Sequence, residues 1–369
     1  MQYLSIFFLF LSFVQPTFAE EQRLLEDFDE EYINEEVIEA EQSGKVIFDG
    51  KPIKIKDQLE ERFKGSLFGV RYRNEVREAV NGSDINRLQY QVKLKLNIPI
   101  SDNVKLKIEP QTGDNSWSSG WDDAASVDDN SQAEFAMTMR RMYLEGKLGE
   151  DTIWQVGSMP SRYKGSMSTP LNVDTDGWVS GARAVHQVNK GIINQVSATY
   201  GQIDFSDADF YDRSWDLDEN EYAQIQVDGK VNDTIGFNTE FNRVHDEDYM
   251  RAQVNIDLKK LTGLMATYII IEEVRSLDGN FDSLGQSVGV LKKDVNWRMQ
   301  AAYVRNDQAP VVRRMTFGPT RPEGEQLFFF YERKLTDSGW VWALRYRHCI
   351  EEDVCSEDYR AEFIVRKRI

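Results

Sequence analysis

The chain has 369 residues, a formal net charge of −18 and 12% aromatic residues. Such an acidic surplus disfavours a nucleic-acid ligand, and two cysteines and three histidines exclude a disulfide-rich scaffold and offer little for a metal centre. After residue 19 no apolar run approaches the about 20 residues of a membrane-spanning helix, whereas a β-barrel stays open because half of each strand faces water.

Residues 1–19 read as a secretory signal: an apolar stretch through Val14, a breaker at Pro16, and small residues Thr17 and Ala19 before the cut. The segment ahead of the apolar stretch carries no Lys or Arg, so an uncleaved anchor is the alternative. Residues 20–60 form a separate acidic segment, expected in the periplasm. Its first part, 20–43, sets eleven acids against Arg23. Leu24, Leu25, Phe28, Tyr32, Ile33, Val37 and Ile38 fall at helical spacing within it, so it reads as an amphipathic helix or as a disordered acidic arm.

From residue 61 to 369 the pattern changes to strands. In residues 88–98, Leu88, Tyr90, Val92, Leu94, Leu96 and Ile98 alternate with Gln89, Gln91, Lys93, Lys95 and Asn97. Period-two alternation gives one apolar and one polar face, over about the 9–11 residues that span a bilayer as a tilted strand. The pattern recurs at 64–74, 103–111, 133–146, 151–159, 181–189, 192–202, 221–229, 233–243, 249–259, 263–274, 283–293, 295–305, 324–335, 339–349 and 358–369. With 86–98 these make sixteen expected strands. Connections alternate between short turns, such as 99–103 and 189–191, and long polar loops, such as 112–131, 160–180, 203–220 and 306–323.

Aromatic residues follow the same polarity. Trp154, Trp297 and Trp340 come after short turns; Tyr72, Tyr200, Tyr303 and Tyr346 come before long loops. That places rings at both edges of an apolar band. The expected fold is all-β: a transmembrane antiparallel barrel of about sixteen strands with short periplasmic turns and long extracellular loops. A soluble barrel has the same period with its apolar face inward; the strand count and the many Lys and Arg on the polar face favour a wet lumen.

The stretch Arg140-Arg141-Met142-Tyr143-Leu144-Glu145-Gly146-Lys147-Leu148-Gly149-Glu150-Asp151-Thr152-Ile153-Trp154-Gln155-Val156-Gly157-Ser158 resembles the general diffusion porins of Gram-negative outer membranes. There a strand bearing Arg and an aromatic residue makes a tight turn, and the next strand ends in Gly, often followed by Arg. Here Ser158 stands in that Arg's place. The chain also ends on Ile369 where such barrels usually end on Phe. The resemblance implies an outer-membrane channel for passive diffusion of ions and small hydrophilic solutes. It also implies a homotrimer among outer-membrane lipids and lipopolysaccharide, with no enzymatic activity and no cofactor.

It further implies that loop 160–180 folds into the barrel and narrows the pore. Asp174 and Asp176 are then the constriction acids, and Lys93, Lys95, Arg140 and Arg183 the facing wall bases. The alternative for the two acids is an ordinary turn beside Gly177. Other inward positions are rich in bases, so a substrate-selective channel of the anion or phosphate type is the alternative, followed by a barrel enzyme or adhesin. Cys349 and Cys355 are expected to form a disulfide, as exported cysteines with five residues between them can. No constellation of nucleophile and base is legible, and Asp216, Asp218 and Asn220 lack the glycine and bidentate glutamate of a calcium loop.

Overall fold

A computed structural model describes residues 46–48, 51–53, 63, 66–76, 84–112, 122–126, 137–161, 163, 178–203, 221–244, 247–259, 267–277, 283–306, 324–335, 339–350 and 359–368. All lie in one compact unit, Val37–Ile369. The strands are β1 (Val46–Phe48), β2 (Lys51–Ile53), β3 (Leu67–Val76), β4 (Ile85–Lys93), β5 (Leu96–Ser101), β6 (Val104–Thr112), β7 (Asp122–Ser126), β8 (Met137–Leu148), β9 (Thr152–Pro160) and β10 (Trp178–Lys190). They continue as β11 (Ile193–Ile203), β12 (Glu221–Lys230), β13 (Ile235–Val244), β14 (Glu247–Asp257), β15 (Thr267–Ser276), β16 (Ser283–Lys293), β17 (Trp297–Asn306), β18 (Gly324–Lys334), β19 (Trp340–Cys349) and β20 (Tyr359–Arg368).

β3 to β20 close into one antiparallel barrel, sealed where β20 pairs with β3. β4 and β5 are halves of one interrupted strand, and β7 is a short addition against β4, so the ring has sixteen strands. The interruption has a chemical cause. Leu94 N–H donates to the Pro110 carbonyl at 2.9 Å, and Pro110 has no N–H to return. The Lys95 N–H turns instead to Ser66 Oγ at 2.8 Å. On its other side Pro110 faces β8 across a register shift: Glu109 pairs with Arg141 and Pro110 with Met139, leaving Arg140 as the extra residue of a bulge.

The two faces of the barrel are sorted as the alternation requires. Phe68, Val70, Tyr72, Leu88, Ile98, Met142, Val156, Ile225, Phe241, Val254, Ile271, Val288, Leu344 and Phe363 are exposed on the outside. Arg71, Gln89, Gln91, Lys93, Gln155, Gln224, Gln226, Glu240, Arg251, Glu272, Glu332, Arg360 and Glu362 are buried on the inside. An apolar exterior of this kind is solvated by hydrocarbon, and a closed ring leaves no unpaired backbone edge there. At the short-turn end, Trp297, Tyr331, Trp342 and Phe363 form a row of rings 5.2–6.4 Å apart. Lys292 and Lys367 lie over Trp297 and Trp340. Tyr346 and Tyr359 pair at the loop end, at 6.5 Å. Each group suits a membrane–water interface.

Glycine has a specific task at two places in the 140–158 stretch. The Trp154 ring lies flat across Gly146, where a Cβ would fall 2.3 Å from it. Gly157 adopts φ 124°, with the Met142 carbonyl 2.5 Å from where a Cβ would stand.

Two sequence expectations need correction. Residues 122–126, expected within a loop, form β7. Trp178, expected in the loop before the sixth barrel strand, is already in β10 and is 2% exposed. β15 is described from Thr267 to Ser276, and residues 263–266 of that expected strand lie outside the described residues. The acidic segment 20–60 contains the β1–β2 hairpin, its strands separated by Asp49-Gly50, a dipeptide that favours two-residue hairpins. The helix or arm expected over 24–38 lies outside the described residues.

Candidate functional site

The inner wall carries the barrel's buried charges, and they fall into sectors. The first sector spans β4 to β8. Glu109 is its centre: Arg141 Nη1 stands 3.2 Å and Arg140 Nη1 3.8 Å from its carboxylate. Both arginines point inward because the bulge opposite Pro110 breaks the alternation between them. Lys93, Lys95 and Lys107 lie within electrostatic reach of the same carboxylate, and Lys107 also pairs with Glu145 at 2.8 Å. Three of the sequence-expected wall bases, Lys93, Lys95 and Arg140, are therefore neighbours in one basic cluster.

Arg183, the fourth, is placed differently. Its Nη2 donates to the carbonyls of Pro160 at 2.7 Å and Ser161 at 2.8 Å. Its Nε donates to Thr199 Oγ1 and its Nη1 to Gln155 Oε1. Tyr222 Oη adds a long bond of 3.4 Å to the Ser161 carbonyl. The root of the loop after β9 is thus tied to the inner wall, and Ser161 and Tyr163 are both buried. Burial pushes the Tyr163 phenol up to about 12, so it is neutral at any working pH. Asp174 and Asp176 lie outside the described residues.

The second sector, on β19, β20 and β3, is rich in arginine. Glu362 accepts from Arg71 Nη1 at 3.1 Å, Arg345 Nη1 at 3.0 Å and Arg360 Nε at 2.8 Å. Arg73 chelates Glu75, which Arg360 also approaches at 3.9 Å. Alongside, Glu332 joins Arg366 and Arg298, and the Phe330 ring lies under the guanidiniums of Arg298 and Arg345 at 4.8 and 6.0 Å. The third sector, on β12 to β15, reverses the stoichiometry. One guanidinium, Arg251, sits between Glu240 at 2.7 Å and Glu272, with Asp228 beside Asn238 and Gln226. In ring order β13 lies halfway round from β3, so acidic and basic sectors face each other across the lumen.

Cys349 ends β19 buried on the inner face; Cys355 lies outside the described residues. Arg71, Arg73 and Arg141 were not among the sequence-expected site residues. Arg71 and Arg73 alternate with Val70 and Tyr72, so their phase was available in the sequence. Arg141 depends on the bulge. No cluster of three or more potential metal-binding side chains occurs among the described residues.

No family model matches the chain, and comparison with curated proteins finds no match. Comparison with solved structures does. A triple mutant of the Rhodopseudomonas blastica porin superposes with a TM-score of 0.52 at 10% identity, over 82% of this chain and 99% of that one. The fold is that of the bacterial porins. A double mutant of the same porin gives a TM-score of 0.50 at 10% identity with the same coverage. At such identity the likeness extends to the fold alone.

Proposed function

We propose that this chain forms a water-filled channel in a bacterial outer membrane, through which ions and small hydrophilic solutes diffuse passively. One observation carries the reading: a sixteen-stranded ring has its exposed apolar side chains outside and its charges and amides inside. A ring of about eight strands is filled by its own side chains, whereas one of about sixteen encloses an aqueous passage. The facing acidic and basic sectors supply a transverse field that orients polar solutes and disfavours apolar ones.

The same reading assigns the loop after β9 to the constriction, with Asp174 and Asp176 as its acids and Lys93, Lys95 and Arg140 opposite. Arg183 serves as the tie that holds its root. Residues 1–19 are the export signal and 20–60 a periplasmic segment. Cys349 and Cys355 form a disulfide that closes the loop between β19 and β20. The homotrimer is supported by a depression on the outer face floored by Ala182, Ala184, Ala198 and Ala223, where small side chains let a neighbouring backbone approach closely. Outer-membrane lipid and lipopolysaccharide surround the rest, and the chain acts without enzymatic activity or cofactor.

Liposome swelling tests the reading. Vesicles carrying the folded mature chain should swell in isotonic pentose and stay unchanged in a large impermeant polysaccharide. Vesicles that do not swell in the pentose, with the barrel shown folded by heat-dependent gel migration, would overturn it.

A further inference from the structure

The apolar exterior does not stop at the row of rings on the short-turn end. Ile100, Leu148, Ile192, Val231, Val295 and Leu335 stand at six of the short turns, each 36–71% exposed. A single exposed aliphatic needs no explanation, but six at one rim do. They share a direction. Ile100 continues the outward phase of Ile98, Leu148 that of Met142, Val231 that of Ile225 and Leu335 that of Leu327. They lie level with the tryptophans or beyond them. Val295 precedes Trp297 by two residues, and the Leu335 N–H donates to the Trp340 carbonyl at 2.8 Å. The Val231 N–H closes its own turn on the Ile235 carbonyl at 2.9 Å, so the backbone holds that tip out.

We propose that the short-turn rim is sunk in a phospholipid leaflet, with its aliphatic tips among the acyl chains and its turn charges among the headgroups. The occupant is lipid rather than a capping protein because the tips continue the outward phase of the apolar exterior. A cap across the mouth would be met along the barrel axis instead. The tips also recur from β5 to β19, round most of the ring, as a surrounding leaflet requires and a partner on one flank does not. The turns offer both charges that a zwitterionic headgroup needs. Lys147, Glu150 and Asp151 flank Leu148, and Lys230 and Asp233 flank Val231, giving an ammonium for the phosphate and a carboxylate for the amine. Lysine stems lie along apolar surface and carry their charge to the headgroups, and Lys292 and Lys367 lie over Trp297 and Trp340 at 6.0 and 5.9 Å. The inference deepens the channel reading and rests on the chain being a membrane barrel.

Nitroxide labels test the rim. They are placed singly at Leu148→Cys, Val231→Cys and Ile225→Cys in the full chain carrying Cys349→Ser and Cys355→Ser, folded into phosphatidylcholine vesicles. Burying one such side chain shifts its equilibrium between water and lipid by about tenfold or more. Collisions with a water-soluble nickel chelate should therefore be at least about tenfold rarer at both tips than in the same chain unfolded in urea, while collisions with dissolved oxygen persist. Ile225→Cys, on the outer face of β12, reports whether the barrel is in the bilayer at all. Chelate reaching both tips but not Ile225→Cys overturns the rim alone, and chelate reaching all three overturns the membrane barrel with it. Exclusion of both oxygen and chelate from the tips means that a second copy covers them, and overturns the lipid assignment. Tips in lipid on a barrel that passes no solute keep the rim and overturn the channel reading. If the cysteine-free chain does not fold, Leu148→Trp in the otherwise native chain reads the same question: brominated phospholipid should quench its added fluorescence, and no added quenching overturns the rim.

Discussion

Arg183→Ala should release the root of the loop after β9. The side chain makes two charge-assisted hydrogen bonds to backbone carbonyls, at 2.7 Å to Pro160 and 2.8 Å to Ser161. A hydrogen bond to a charged group contributes about 1.5–3 kcal/mol, so the pair holds the root by about 3–6 kcal/mol before relaxation. The 3.4 Å bond from Tyr222 to the Ser161 carbonyl remains. Local opening of the root should therefore rise by at least two orders of magnitude. The readout is trypsin cleavage at Arg162 and Lys164, which flank the buried Tyr163. In folded native barrels cleavage should be slow; in Arg183→Ala it should be at least about tenfold faster, with a larger single-channel conductance. Arg183→Lys should fall between, since an ammonium cannot form the guanidinium's fork. Equal cleavage rates and equal conductance in native and Arg183→Ala proteins would refute the anchoring role.

Other substitutions probe the wall and the outer face. Arg251→Ala leaves Glu240 and Glu272 facing each other without their shared cation, and should cost about 3 kcal/mol in urea unfolding followed by tryptophan fluorescence; a loss below about 1 kcal/mol would contradict the network. Ile225→Lys puts a charge on the exposed outer face of β12 and should cost about 2–4 kcal/mol in a bilayer if that site is near the midplane, whereas a barrel standing in water would tolerate it. Gly146→Leu forces the Trp154 ring off β8 and should lower stability by about 1–3 kcal/mol with a shifted tryptophan emission; an unchanged spectrum would count against that packing. Thiol titration of the unfolded, unreduced chain should find no free thiol, and reduction should expose both; closing so small a loop is worth about 2 kcal/mol.

How much of this was legible in the sequence varied with the kind of strand. Residues 88–98 sorted their faces by alternation, and the structure puts Leu88 and Ile98 outside and Gln89, Gln91 and Lys93 inside as that pattern requires. Alternation failed where both faces are apolar. In Tyr268-Ile269-Ile270-Ile271 the inward residue is Ile270, so residue type assigns no phase to Glu272, which proves to be half of the Arg251 clamp. It failed again at Pro110, where a missing N–H interrupts one neighbour and a bulge in the other turns Arg141 inward beside Arg140. Periodicity assumes an unbroken ladder, and a proline acts on the strands beside it, which lie far away in sequence. Arg183 was legible as an inward base. Its partners were not, because backbone carbonyls leave no trace in residue type.

Single-channel recording bears most directly on the central claim. The mature chain, folded in detergent and added to a planar bilayer, should produce stepwise, ohmic conductance increments, with a reversal potential in a salt gradient that reports anion preference. A barrel proven folded by heat-dependent migration that inserts and produces no current steps would contradict the account.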